Sequence, residues 1–179
     1  NANQCKNKNL SKRLFFETGD ARNYSVEKKF SVVISLFHVA SYMSTNEHLE
    51  SMFETAAKHL KPGGIFIFDF WYGPGVITNP PSVRLKRLEN KDVKVSRIAK
   101  PKMYPNENLV DVNYSVQVKK KDTQNIFEIN ETHKMRYLFI PEIKQLSKAW
   151  FNLDANFAWM KDKKPNFCDW LCISILIRK

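Results

Sequence analysis

Asp20, His38, Tyr42, Asp69 and His133 combine reactive side chains with positions where an apolar run gives way to a loop or alternates with polar residues. A carboxylate at Asp20, just after Gly19, can accept from an exocyclic amine, and the N–H of Ala21 beside it is free to donate to a ring nitrogen. The same Asp equally suits an Asx-turn or a helix cap. His38 and Tyr42 follow the apolar residues 31–36. An imidazole there is a structural hydrogen-bonding group or a site residue, and a phenol either seals a pocket or turns its hydroxyl to a substrate. Asp69 interrupts the apolar run 65–71. A charged carboxylate is costly in a core, so it either pairs or faces a site. Alternation puts His133 on one face with Glu131, Met135 and Tyr137, and puts Thr132, Lys134 and Arg136 on the other. There it serves as a general base or substrate contact, or stands exposed on the strand. Phe70, Trp71 and Tyr72, beside Gly73-Pro74-Gly75, line a pocket mouth or pack whatever follows. No H-E-x-x-H, nucleophile elbow, Walker loop or carboxylate pair is present, which removes most hydrolases.

These residues need elements to hold them. Residues 14–18 read as a short strand closed by Gly19-Asp20. Residues 31–36 are β-branched and apolar on both faces, as in a strand buried within a parallel sheet. Ser44 and Glu47 form a capping box. They open a helix with Leu49, Met52, Phe53, Ala56, Ala57 and Leu60 on one face, and Pro62-Gly63-Gly64 stops it. Strand, loop, helix and strand make a βαβ crossover, so the sheet is parallel and ligands collect at the carboxyl ends of its strands.

Beyond Trp71 the pattern changes. Residues 73–81 are too rich in Gly and Pro to stay regular for long. Residues 93–99, 109–119 and 125–137 alternate with period two, which means antiparallel strands with one wet face and a hairpin tip at 119–123. A short helix over 141–150 and a closing hairpin around Trp159 and 170–177 end the chain. The expected class is α/β: residues 1–72 and 138–179 form a partial parallel core, and 73–137 an antiparallel insertion on the substrate side.

Composition narrows the function. The chain has 179 residues, 43% of them hydrophobic, and carries 29 Lys and Arg against 18 Asp and Glu. It can bury a core as one domain. The scattered lysines read first as a solvated surface; the sharper readings are an acidic substrate, phosphates on a small substrate, or nucleic acid. Cys5, Cys168 and Cys172 form no C-x-x-C pair and suggest neither a disulfide framework nor a metal site. The longest apolar run, 170–177, is too short to span a bilayer. A reduced, cytoplasmic protein without a membrane segment is expected. Residues 1–9 read like the tail of a helix already under way.

In order and spacing, Gly19-Asp20-Ala21-Arg22, residues 30–37, Tyr42-Met43 and residues 59–71 resemble class I S-adenosylmethionine-dependent methyltransferases over about residues 14–71. The antiparallel insertion and Glu131-Thr132-His133 look most like the branch that includes deoxyaminosugar N-methyltransferases. The resemblance implies a Rossmann-like methyltransferase sheet and S-adenosylmethionine as cofactor, with no metal. It implies cofactor contacts at Asp20, Ala21, Arg22, Leu36, Phe37 and His38, and places Tyr42 close to the acceptor nitrogen. We add His133 as the second catalytic candidate and Asp69, Trp71, Tyr72 and Arg136 as substrate contacts.

The expected reaction is methyl transfer to an amine or hydroxyl of a small molecule, a sugar among the candidates. RNA or protein methylation and a non-catalytic methyltransferase-like scaffold are the alternatives, and a homodimer is compatible. The family's glycine-rich loop and ribose-holding acid have no counterpart before Gly19. The expectation is therefore that they lie upstream or that another chain completes the sheet. Residues 31–36 would then show an open edge, and this piece alone would fold poorly and bind the cofactor weakly.

Overall fold

A computed structural model describes residues 14–123 and 125–179. Cys5 and the helix-tail reading of residues 1–9 lie outside them. The element order is β1 (Phe30–Ser35), a 3₁₀ turn (Val39–Tyr42), α1 (Asn46–His59), β2 (Leu60–Tyr72), α2 (Gly73–Thr78), β3 (Arg84–Glu89), β4 (Val93–Tyr104), β5 (Leu109–Lys120), β6 (Ile126–Leu138), α3 (Ile140–Ser147), β7 (Phe151–Ala158) and β8 (Leu171–Arg178).

One mixed sheet holds all eight strands in the order β3-β4-β5-β6-β2-β8-β7, with β1 also on β2. The β1-α1-β2 crossover is parallel, as expected, with Val32 opposite Ile65 and Ser35 opposite Phe68. Strand β2 is long enough to serve three partners. Strand β8 runs antiparallel along residues 65–71, β1 takes residues 60–68, and β6 joins in parallel at Trp71 and Tyr72. The antiparallel strands β3–β6 are thus continuous with the core sheet.

The apolar stripe of α1 makes the main core against β2. Phe53 meets Phe66 and Phe68 edge-on at 6.4 and 5.7 Å, and Phe66 stacks on Phe68 at 5.1 Å. Each fully buried phenylalanine of this kind contributes about 2 kcal/mol of transfer free energy. A second cluster joins Val76 of α2 to Val110, Val112, Met135 and Tyr137 of β5 and β6, which fixes the near half of the antiparallel sheet.

Several local expectations change. Residues 14–18 pair with no strand among the described residues. The cap of α1 is Thr45, whose hydroxyl accepts from the His48 N–H at 3.2 Å; Thr45 has the extended backbone that aims a side-chain oxygen into the first turn, and Ser44 lies one residue too early. The helix ends at His59, and Pro62-Gly63-Gly64 instead forms a bulge inside β2, where the β1 register jumps between Phe30 and Val32. Gly63 takes a positive φ of 73° there, which suits glycine. Strand β1 is covered on one face only: Val33 packs on the core, while Val32 and Ile34 stand 43% and 58% exposed.

Residues 73–78, expected to be irregular, form α2, with Pro74 in its first turn. Gly75 makes this close approach feasible, since an added Cβ would lie 2.1 Å from the Asp169 carbonyl oxygen. Gly75→Ala is expected to push α2 off the 169–170 segment and destabilise the fold by about 2 kcal/mol, seen as a lower urea midpoint.

Candidate active site

The site begins at the turn around Asp20. The Asp20 carbonyl accepts from the N–H groups of Asn23 and Tyr24 at 3.1 and 2.8 Å. Gly19 lets the Tyr24 ring close over the turn, because a Cβ there would sit 2.4 Å from it. Helix α1 anchors the segment from behind. Thr55 donates to the Arg22 carbonyl at 2.8 Å. His59 lies between the Thr55 carbonyl on Nδ1 and the Val26 N–H on Nε2, so its partners set the tautomer with Nδ1–H donating.

Arg22 engages the Asp20 carboxylate through its backbone N–H at 2.9 Å and its guanidinium at 2.5 to 3.1 Å. The Asx-turn reading of Asp20 is therefore realised. These hydrogen bonds hold its carboxyl at about 2, well below the usual carboxylate range. Asp20 stays 38% exposed, and each carboxylate oxygen can take a further donor. The Ala21 N–H has no partner among the described residues.

The second part of the site comes from the loop after β1. Phe37 and His38 both adopt positive φ, 63° and 65°, a conformation that costs a non-glycine residue about 1 kcal/mol or more. Strand β2 holds the loop in place from below. The His38 N–H donates to Asp69 Oδ1 at 3.0 Å, and the Trp71 N–H donates to the buried Ser41 hydroxyl at 2.9 Å. His38 Nδ1 also lies 2.7 Å from Asp69 Oδ2. That is a close approach without hydrogen-bond alignment, since neither atom has a well-directed partner.

Pinned in this way, the 3₁₀ turn carries Tyr42 over β6, and its hydroxyl meets His133 Nδ1 at 2.7 Å. His133 Nε2 in turn lies 3.3 Å from Glu131 Oε2. Burial pushes the Tyr42 phenol up, helped by Tyr114 and Glu131, so it is neutral at physiological pH.

The remaining candidates separate. Leu36 and Phe37 stand at the end of β1, 36% and 81% exposed. Neither they nor His38 line the cleft described below. Asp69 is wholly buried and positions the His38 loop instead of meeting a substrate. Trp71 packs its ring on Trp170 at 5.1 Å. Tyr72 is buried in the main core, with its N–H on the Trp170 carbonyl. Arg136, 7% exposed, reaches Asn46 at 2.6 Å and forms an ion pair with Glu142, clamping α1 to α3. The face opposite His133 is here an interior face, so Arg136 has no open surface to offer a substrate.

A cleft of about 630 Å³ opens between the two parts, with Gly19, Asp20 and Arg22 on one side and Val39, Tyr42 and Met43 on the other. Its volume suits a ligand of cofactor size. His48, which lies at its edge 3.1 Å from the Arg22 guanidinium, escapes the sequence reading. Its spacing beside Leu49 on an ordinary helix gives no signal. Asp20 is the only carboxylate among the described lining residues. Tyr42 belongs to both parts, lining the cleft and touching His133.

No protein-family model matches the chain. A 56-residue segment, 31% of the chain, is 38% identical to dTDP-3-amino-3,4,6-trideoxy-alpha-D-glucopyranose N,N-dimethyltransferase of Streptomyces venezuelae and covers 24% of that protein. The matched segments thus span only 22 to 38% of the length of the curated relatives. Among solved structures, an S-adenosylmethionine-dependent methyltransferase from Clostridium acetobutylicum superposes with a TM-score of 0.75 at 18% identity, over 99% of this chain and 70% of that one. A sugar N-methyltransferase from Streptoalloteichus gives 0.71 at 13% identity, over 90% and 61%. The chain has a class I S-adenosylmethionine-dependent methyltransferase fold and is related to the deoxyaminosugar N-methyltransferases.

Proposed function

We propose that the protein carrying this chain methylates an amine on a small amino sugar, with S-adenosylmethionine as methyl donor. The observation that carries the reading is the place of Tyr42, whose ring lines the Asp20 cleft while its hydroxyl meets His133. The donor set fits the cofactor's adenine end: the anionic, half-exposed Asp20 would accept from the exocyclic amine, and the Ala21 N–H, which has no partner among the described residues, would donate to a ring nitrogen. When bound, S-adenosylmethionine would supply an electrophilic methyl carbon to which an uncharged amine bonds as the carbon–sulfur bond breaks and the neutral thioether leaves. The chain orients the two reactants and accepts the proton that the amine then sheds.

With His133 in the tautomer that keeps Nε2 protonated toward Glu131, the Tyr42 hydroxyl donates to Nδ1. A lone pair on Tyr42 Oη takes the proton from the methylated amine while its own passes to Nδ1. The phenol ends neutral and His133 ends as imidazolium, with Glu131 beside it.

The cleft itself is tested by binding. Asp20→Ala is expected to weaken S-adenosylhomocysteine binding at least tenfold, read by calorimetry. Because the Asp20 pKa is depressed below its ordinary value, its contribution is full above about pH 4 and is lost as pH falls toward 2. Binding should be flat between neutral pH and pH 5. Unchanged affinity in Asp20→Ala would remove Asp20 from the cofactor site. The described cleft offers the ribose no acid, so the chain by itself should bind only in the millimolar range; micromolar affinity would contradict that.

A further inference from the structure

The outer half of the antiparallel sheet has one polar face and one apolar face. Strand pairing puts Val116 beside Ile129, and lines up Leu88, Val95, Val118 and Phe127 in the next row, all on the face that carries His133. The opposite face there holds Arg87, Ser96, Gln117 and Glu128. Helix α2 covers the inner end of the apolar face, where Val76 clusters with Val112 and Met135, but none of the six outer residues belongs to either core cluster. Leu88, Phe127 and Ile129 stand 57%, 48% and 48% exposed. A contiguous apolar patch of this kind marks a surface that meets something other than water.

Cations frame the patch. Lys86 and Arg97 stand opposite each other on its inner side and Lys120 on its outer side, all three exposed and without an ion pair among the described residues. The Lys120 ammonium lies 5.6 Å from the Phe127 ring centroid. Within the described β3–β6, Glu131 is the only carboxylate on this face, and it lies against His133; Glu89, Asp111 and Glu128 alternate onto the other. This charge pattern decides the occupant. A second copy docked face to face would bring the same cations together with no acid to pair them. A nucleic acid stacks its bases on rings, and these two rows offer one, Phe127. An anionic lipid surface answers both the apolar rows and the cations around them.

We propose that the outer half of this sheet face docks on an anionic membrane surface, with Leu88, Phe127 and Ile129 at the acyl boundary and Lys86, Arg97 and Lys120 among the headgroups. Docking is shallow, because β3 is the edge of the sheet and its outward N–H and C=O groups must stay hydrated. The long lysine and arginine stems suit that depth, since they lie along apolar surface while their charges remain in the headgroup layer. Repulsion between Lys86 and Arg97 in the free protein is relieved there. His133 lies about 13 Å from Ile129 along the same face of β6, so the docked protein turns the side bearing Tyr42 and His133 toward the membrane. The proposal stands apart from the methyl-transfer reading.

The test is flotation with phosphatidylcholine vesicles, with and without phosphatidylserine. The protein is expected to float with the anionic vesicles and not with the neutral ones, and less so as salt rises. Phe127→Thr/Ile129→Thr should weaken that binding about tenfold or more while the thermal midpoint holds, because both residues are exposed and threonine suits a strand. Lys86→Gln/Arg97→Gln/Lys120→Gln, which leaves the apolar rows intact, should weaken it as much and flatten the salt dependence. Ile126→Thr, on the opposite face, should bind like the unmodified protein. No flotation with phosphatidylserine, or flotation that both multiple variants retain, overturns the proposal. So does a dimer in sedimentation equilibrium that Phe127→Thr/Ile129→Thr dissociates, which would assign the face to a second copy. A short single-stranded RNA that keeps the protein off the vesicles and binds with a steep salt dependence would assign the cations to a polymer and overturn it too.

Discussion

Replacing Tyr42 by Phe and His133 by Ala is expected to lower methyl transfer to an amino sugar by about 10²-fold or more, the usual scale for losing a positioned proton acceptor. The two side chains touch at 2.7 Å and act in one proton path, so each single change should cost nearly as much as the pair. Single-turnover assays with a methyl-labelled donor and a panel of deoxyaminosugar nucleotides would read the effect. His133 does not line the cleft, so His133→Ala should leave S-adenosylhomocysteine binding unchanged while turnover falls. Turnover that survives both changes would take Tyr42 and His133 out of the mechanism.

The second large effect is structural and propagates into the site. Asp69→Ala is expected to destabilise the fold by about 3 kcal/mol, combining an unpaired His38 N–H with an unfilled space beneath a wholly buried side chain. Phe37 and His38 hold left-handed backbone, and the Asp69 carboxylate helps offset that strain. Without it the turn carrying Tyr42 should loosen, and activity should fall further than the loss of stability alone explains. Asp69→Asn keeps an acceptor for the His38 N–H and should retain most of the stability. Urea denaturation of the three proteins checks this, and an Asp69→Ala midpoint equal to that of the unmodified protein would show that the contact contributes nothing.

Local periodicity made the β1-α1-β2 unit readable. Helical spacing from Leu49 to Leu60 and the break at Pro62-Gly63-Gly64 are short-range signals, and the structure keeps both while turning the break into a strand bulge. Strand β3 was unreadable because every residue from Arg84 to Glu89 is exposed, so no buried face writes a pattern into it. Residues 14–18 show the reverse: their composition suits a strand, but a strand exists only with a partner. Tyr42 was legible as a residue of the loop after a strand, whereas Asp20 was read at the end of a strand that the described residues do not form. The meeting of Tyr42 with His133 was not legible, because it depends on β1 and β6 sharing one edge of β2, a long-range fact. Arg136 was misread for a related reason. Alternation assigned its face correctly, but only the packing of Asn46 and Glu142 shows that this face is closed.

The central claim, that the Asp20–Tyr42 cleft holds the cofactor, is tested most directly by nuclear magnetic resonance. S-adenosylhomocysteine at millimolar concentration would be titrated into the ¹⁵N-labelled protein and into Asp20→Ala. The expected result is a saturating set of shifts at Gly19, Asp20, Ala21, Arg22 and Tyr42, weakened in Asp20→Ala, with the β3–β4 end unmoved. Shifts confined to other parts of the sheet, or a response at the cleft that Asp20→Ala leaves intact, would contradict it.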